Sequence, residues 1–388
     1  MCYTQNRFKA LLSACVLSLI ATASWSQSLT WLGTLPGGSE SYAFGVSADG
    51  SVVVGRARNA AGQSRAFRWT ASGGMQDLGT LGGGESFAYG VSADGAVVVG
   101  GARNAAQYLR AFRWTASGGM QDLGTLGGDY SYATDVSADG AVVVGLAANA
   151  AWRDRAFRWT ASGGMQDLGT LGGNWSWAND VSADGAVVVG VAENAAGSGQ
   201  YRAFRWTASG GMQNLGTLPG GCCSQALGVS ADGTVVVGYW AHNVAERYRA
   251  FRWTASGGMQ GLGTLGGNES WAWGVSADGS VVVGGAYNDV AGYKRAFRWT
   301  ASGGMEDLNT TYASLLTNGS VLWYAFAISP DGRYIVGWGD NAATGRTEAF
   351  LLDTGGPRCT LDGDVNGDRV VDDADLLIVL FNFGNRCP

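Results

Sequence analysis

Oxygen-bearing side chains are spaced most suggestively near the C-terminus. Asp364, Asn366, Asp368, Asp372 and Asp375 take positions 1, 3, 5, 9 and 12 of a twelve-residue stretch, and the Val370 carbonyl falls at position 7. This spacing lets a loop wrap a hard divalent cation in six or seven oxygens, so calcium is the expected ligand. Without a cation the same stretch is a solvated acidic loop whose carboxylates repel one another. Arg369 stands at position 6, where such loops use glycine, and a left-handed backbone there costs a residue with a Cβ about 1–2 kcal/mol. The apolar run 374–381 that follows reads as a helix.

Sulfur and imidazole are sparser. Cys359 and Cys387 bracket the final segment and are expected to form a disulfide. Cys222 and Cys223 are adjacent, and a strained vicinal disulfide and two free thiols are both open to them. The single histidine, His242, lacks further ligands at zinc-site spacing and has no evident orienting carboxylate. No nucleophile and base stand at a telling spacing, so catalysis is not expected. If unique chemistry exists it belongs with Cys222, Cys223, Gln225, Trp240, His242 and Glu246, which break the pattern of their neighbourhood.

Aromatic side chains supply a second kind of chemistry. Tyr42, Phe87, Tyr132, Trp177, Trp271 and Tyr324 recur at one position of an internal repeat, with Gln225 as the exception, and Phe44, Tyr89, Tyr130, Trp175 and Trp273 flank them. Flat amphipathic rings stack on sugars or peptide side chains at low entropic cost. The candidate ligand-binding face is therefore Trp175, Trp177, Trp271 and Trp273, joined by Trp240 and His242. The competing reading is packing between sheets, because small residues such as Ser41, Ala43 and Gly45 alternate with the rings.

The repeat positions all of these residues. VSADGxVVVG followed by RAFRWTASGGM recurs at a spacing of 45 to 47 residues, in units that begin at Leu32, Leu78, Leu123, Leu168, Leu215, Leu262 and, in eroded form, Leu308. That period fits a four-stranded propeller blade. In the first unit, strands are expected at 42–48, 51–55, 66–69 and 75–81, with turns at Asp49-Gly50 and Ser72-Gly73-Gly74. Phe67 and Trp69 read as core, and Arg68 with Asp77 as an inter-strand ion pair. The SADG and SGG hairpins fall on one face, and the length-variable loops on the other, where recognition loops belong. The last unit stops after Ala349-Phe350-Leu351-Leu352, whereas Ser28 to Leu35 carries the missing strand pattern ahead of the first unit. Pairing the two would close a ring and remove an open sheet edge.

The expected architecture is an all-β seven-bladed propeller over 28–353, closed by an N-terminal strand, with a small α calcium module over 354–388. Sixty-four glycines suit many tight turns. Residues 1–26 read as a secretory signal peptide: Arg7 and Lys9 precede the apolar run 10–21, and small residues follow. Leu12-Ser13-Ala14-Cys15 is similar to the lipobox of bacterial lipoproteins, but the apolar run continues past the cysteine. No later stretch is apolar and long enough for a membrane helix. A net charge of −6, with Lys9 and Lys294 the only lysines, leaves no basic stripe for nucleic acid.

The AFRW, DLGTLGG and VSADG elements resemble the extracellular HAF-type repeat family over residues 32–352. The resemblance implies secretion and a β-propeller, and it supplies no agreed activity and no catalytic residues. The GDVNGD and ADLL segments of the tail resemble one half of a dockerin, which implies a cohesin-like or cell-surface anchoring partner. A typical dockerin has two such loops, and this chain has one. The sequence thus reads as a secreted, non-catalytic binding or surface-interaction module for a glycan or an extracellular protein, associated with a bacterial cell surface. The alternatives are a purely structural repeat protein and, less favoured, a carbohydrate-active propeller enzyme.

Overall fold

The computed structural model describes residues 27–195, 199–242 and 247–355. The segment 1–26 expected to be a signal peptide, the residues expected to bind calcium, and Cys359 and Cys387 lie outside the described residues. Among those described, the strands form seven four-stranded antiparallel sheets, and helix is confined to Leu308–Thr311 and a 3-10 turn at Ala313–Leu315. The chain is a seven-bladed β-propeller.

Blade one shows how each repeat folds. Its inner strand Ser41–Val46 pairs with Val52–Arg58, then Ser64–Thr70, then the outer strand Gly74–Asp77. The outer strand stops short of the expected end, and residues 78–81 instead carry the chain to the next blade. The SADG hairpin closes on local bonds: Gly50 adopts φ +71°, the Ser47 hydroxyl donates to Asp49 Oδ1 at 2.8 Å, and Ser51 N–H donates to the same oxygen at 2.9 Å. Val53 and Val54 are fully buried, as are Phe67 and its counterparts Phe112, Phe157, Phe204, Phe251, Phe297 and Phe350. Gly55, the glycine of VVVG, is required because a Cβ there would collide with the Tyr42 carbonyl and the Phe67 ring.

The repeated polar residues join one blade to the next. Ser86, fully buried, accepts from Ala66 N–H of the preceding blade at 2.9 Å and donates to Gly79 O at 2.5 Å. The expected Arg68–Asp77 pair does not form. Phe67 lies opposite Asp77 in the ladder, which places Asp77 on the face shared by residues 65 and 67 and leaves Arg68 on the other. Asp77 therefore pairs with Arg65, at 3.6 Å, while Arg68 Nε donates to Gly95 O of blade two at 3.3 Å. Arg65 Nη1 also reaches the Gly84 carbonyl in blade two, so the two arginines of RAFRW clamp both ends of the same junction.

Closure between blades seven and one keeps the serine bond of the other junctions but supplies its outer strand from the N-terminal side. The strand Ser28–Trp31 pairs antiparallel with Arg346–Asp353 as the fourth strand of blade seven. Ala349 N–H donates to Ser41 Oγ at 2.8 Å, and Leu32 N–H to Ala349 O at 2.9 Å. Blade seven has Glu348 and Leu351 at the places of the clamping arginines. On the hairpin face, backbone bonds run round the ring from Ala48 N–H to Ala93 O and onward to Ala277 N–H and Pro330 O. Proline has no N–H to return the bond to Ala48. The seam thus lacks both the arginine clamps and the last link of this backbone ring.

Candidate functional site

The inner strands build the site. In each of the seven, the pairing register slips by one residue at the same place, as between Ala43 and Gly45 in blade one. Such a bulge leaves one residue unpaired and re-aims its side chain. The bulge residues are Phe44, Tyr89, Leu227, Trp273 and Phe326 in five blades, and Thr134 and Asn179 in blades three and four. All seven line the central channel.

The channel is chemically two-sided. On one wall the rings pack edge to face or tilted: Trp273 to Phe326 at 5.1 Å, Phe326 to Phe44 at 5.3 Å, and Phe44 to Tyr89 at 5.5 Å. The other wall is polar. The Thr134 hydroxyl donates to Ala178 O at 3.0 Å, and Asn179 Nδ2 to Ala226 O at 2.6 Å, each bond reaching the next blade. Next to them, Asp135 and Asp180 hydrogen-bond to one another. Val181 N–H donates to Asp135 Oδ2 at 3.3 Å, and Val229 N–H to Asp180 Oδ2 at 2.7 Å. Asp135 fits because blade two has glycine beside it: a Cβ on Gly90 would lie 2.7 Å from Asp135 Oδ1.

Burial, and for Asp135 also the neighbouring Asp180, raises both carboxyls above the ordinary carboxylate range. Both are half-buried by solvent exposure and border the channel space, so the surrounding protein desolvates them only in part and channel water screens them on that side. A hydrogen bond between two carboxyl groups requires a proton on one of them, so the pair carries at most one negative charge while that bond holds. Burial also pushes the Tyr132 phenol up to about 12, with Tyr89 and Asp154 adding to the shift, and Tyr89 moves the same way. These phenols are neutral hydrogen-bond donors at neutral pH.

A cavity of about 430 Å³ occupies the variable-loop end of the channel, bordered by the bulge residues together with Phe87, Tyr132 and Leu109. A second, of about 250 Å³, lies toward the hairpin face and includes Asp135 and Asp180. Around the wider mouth runs an aromatic rim. Trp175 lies 5.4 Å from Trp177 and 6.1 Å from Tyr201, Tyr239 lies 5.0 Å from Tyr248, and Tyr248 lies 5.7 Å from Trp271. Lys294 Nζ sits 4.4 Å from the centre of the Trp271 ring, and Trp177 Nε1 donates to Asp154 Oδ2 at 3.2 Å. Such an arrangement can seat an amphipathic ligand, with flat apolar surface against one wall and hydrogen-bonding groups against the other.

The residues expected to form one face are thus distributed. Trp175 and Trp177 share the blade-four rim, and Trp271 stands on the blade-six rim. Trp273 sits at the channel bulge, with its indole N–H buried and without a hydrogen-bond partner. Trp240 packs against the apolar core between blades four and five. The His242 backbone pairs with Gly221, and its side chain lies outside the described residues. The repeated aromatic position supports packing between blades as well as the rim, as in Tyr42 against Trp338 at 5.3 Å. Cys222 and Cys223 are both thiols at the start of the blade-five inner strand. Among the described residues, no three His, Cys, Asp or Glu side chains are grouped to hold a metal.

Thr134, Asp135, Asn179 and Asp180 escape the sequence reading. Their signal is present: units three and four read Ala-Thr-Asp-Val and Ala-Asn-Asp-Val where units one, two and six read Ala-Phe-Gly-Val, Ala-Tyr-Gly-Val and Ala-Trp-Gly-Val.

Comparison with known proteins bears on the fold. An oligogalacturonate lyase solved with manganese superposes with a TM-score of 0.55 at 12% identity, over 84% of this chain and 92% of that one. The propeller domain of the Trilobed protease from Pyrococcus furiosus, described as having an open velcro topology, gives 0.54 at 10% identity, over 84% and 96%. A puromycin hydrolase gives 0.50 at 16% identity, over 79% of this chain but only 52% of the hydrolase. The chain likewise spans 62% of the length of TolB from Acinetobacter baumannii, at a TM-score of 0.46. No family model and no curated protein matches the chain. At these identities the likeness shows the propeller fold alone.

Proposed function

We propose that the protein is an exported, non-catalytic binding module whose ligand seats in the variable-loop mouth of the propeller channel. The observation that carries this reading is the broken symmetry of the bulge ring. A scaffold that repeats RAFRW and SADG so closely in six units nonetheless varies at the channel wall, where aromatic residues in blades six, seven, one and two face Thr134 and Asn179 in blades three and four. A glycan or a peptide with one apolar and one polar edge suits such a mouth. Arrays of glycans and peptides probed with the mature chain test the proposal, beside a Trp273→Ala variant. Specific binding weakened at least tenfold in the variant supports it, and equal binding removes it.

The HAF-type motifs and the leader favour an extracellular location, and the tail is proposed to bind calcium and to anchor the propeller at a cell surface or on a cohesin-like partner. Calorimetry of the full mature chain should show one calcium-binding event that Asp364→Ala abolishes. Heat from calcium unchanged by that substitution would place the ion elsewhere.

The enzymatic alternative draws on the lyase and hydrolase among the similar propellers and on the channel acids. Glycoside hydrolysis needs two carboxyls roughly 5 Å or more apart, with sugar or water between them. Asp135 and Asp180 instead bond directly to each other and to backbone N–H groups of the following blade. That geometry suits a clasp between blades better than an acid and a base working on a substrate.

A further inference from the structure

Blade five carries a sulfur pair that the ligand site does not use. In a regular strand, neighbouring residues point to opposite faces. Here the ladder pairs Gly221 with His242 and Cys223 with Ala241, so Cys222 is the extra residue of a bulge. The bulge brings its thiol within hydrogen-bond reach of the Cys223 thiol. Cys222 Sγ also donates to the Ala241 carbonyl at 3.6 Å, and Arg202 Nη1 of blade four donates to the Cys222 carbonyl at 2.5 Å, holding the bulge in place. Cys222 is half-buried and Cys223 is 7% exposed, so a reagent meets Cys222 first.

We infer that Cys222 and Cys223 form a reversible redox site, a vicinal dithiol that closes to a disulfide by exchange with a small-molecule disulfide and reopens with its thiol. Cys222 gives its proton to solvent, and its thiolate attacks one sulfur of the reagent, forming a mixed disulfide and expelling one thiolate. Cys223 then loses its proton and attacks Cys222 Sγ, and the bond to the reagent's second sulfur breaks. The two expelled thiolates take up the two protons. Two protein thiols are oxidised, one reagent disulfide is reduced to two thiols, and no further oxidant is needed. Neighbouring Cα atoms lie about 3.8 Å apart, below the usual disulfide separation of about 4.4–6.8 Å, so the closed ring is strained and easily reduced. Such bonds are the labile, regulatory ones. Burial, together with the adjacent Cys223 thiol, pushes the Cys222 thiol up, so closure should accelerate about tenfold per pH unit through the neutral range.

The test exposes the reduced mature protein to oxidised glutathione, quenches it with acid, and examines the peptide containing both cysteines by mass spectrometry. The expected wild-type product is that peptide short of two hydrogens, with no glutathione attached, and it reverts in reduced glutathione. Cys223→Ser should instead trap a stable glutathione adduct on Cys222. The inference is overturned if the wild type retains the adduct, if it keeps both thiols while Cys223→Ser becomes modified, or if Cys222 reacts in neither protein.

Discussion

Asp135 and Asp180 share a hydrogen bond that exists only while one of them holds a proton. Their raised carboxyls are protonated in the fold at pH values where the unfolded chain has lost those protons. The stabilisation is therefore complete below the ordinary aspartate value of about 3.9 and is lost as pH rises through the raised folded value. Thermal melts should show the wild type losing stability on the alkaline side. Asp135→Asn should flatten that decline, because an amide donates to Asp180 at every pH. A decline of the same size in Asp135→Asn would show that the pair does not cause it. Asp135→Ala should cost about 1 kcal/mol at acidic pH, the net worth of one hydrogen bond, because the half-buried Asp180 can turn to channel water. At this scale the sequence was only partly readable. The aromatic positions are visible in the repeat, but the pairing of two aspartates one unit apart depends on the glycine at position 90 that makes room for one of them.

At the scale of elements, strand order, hairpins and the closing N-terminal strand follow from the repeat itself, since a DG turn, a VVV strand and an AFRW strand each announce their geometry. Two element features do not. The bulge in every inner strand is a register property, and it is what turns Phe44, Trp273 and their equivalents toward the channel instead of into the sheet stack. The Arg65–Asp77 pairing likewise depends on register, because a shift of one residue puts the guanidinium on the other face. The seam between blades seven and one rests on Ser41 and the strand Ser28–Trp31, without the paired arginine clamps of the junctions from blade one to blade five. Ser41→Ala orphans the Ala349 N–H and should cost about 1–3 kcal/mol in a denaturant titration. Truncation of residues 27–31 should make the seam the first part of the ring to open, seen as early amide exchange in Arg346–Asp353. If that strand stays protected, the closure argument fails. In the loop of blade three, Trp152 adopts φ +58° and is 68% exposed, at a turn where blade one has Gly62 at φ +74°. Trp152→Gly should leave stability unchanged or raise it by up to about 1 kcal/mol, and a clear loss would mean that the indole is held by contacts in solution.

For the molecule as a whole, six closely similar blades and an eroded seventh form a ring whose interior is not sevenfold. The repeat that dominates the sequence makes the scaffold, and the departures from it make the channel: two short polar residues and two acids in blades three and four, facing the rings of blades six, seven, one and two. Filling the polar wall should therefore abolish binding without disturbing the fold. Thr134→Tyr is suited to this, because it gives blade three the bulge residue that blade two already carries as Tyr89. The most direct measurement is glycan- and peptide-array binding of the mature wild type against Thr134→Tyr, with matching melting curves confirming that both are folded. Specific array signals of the wild type should fall at least tenfold in the variant. A wild type that binds nothing on either array, or a folded variant that binds equally well, would contradict it.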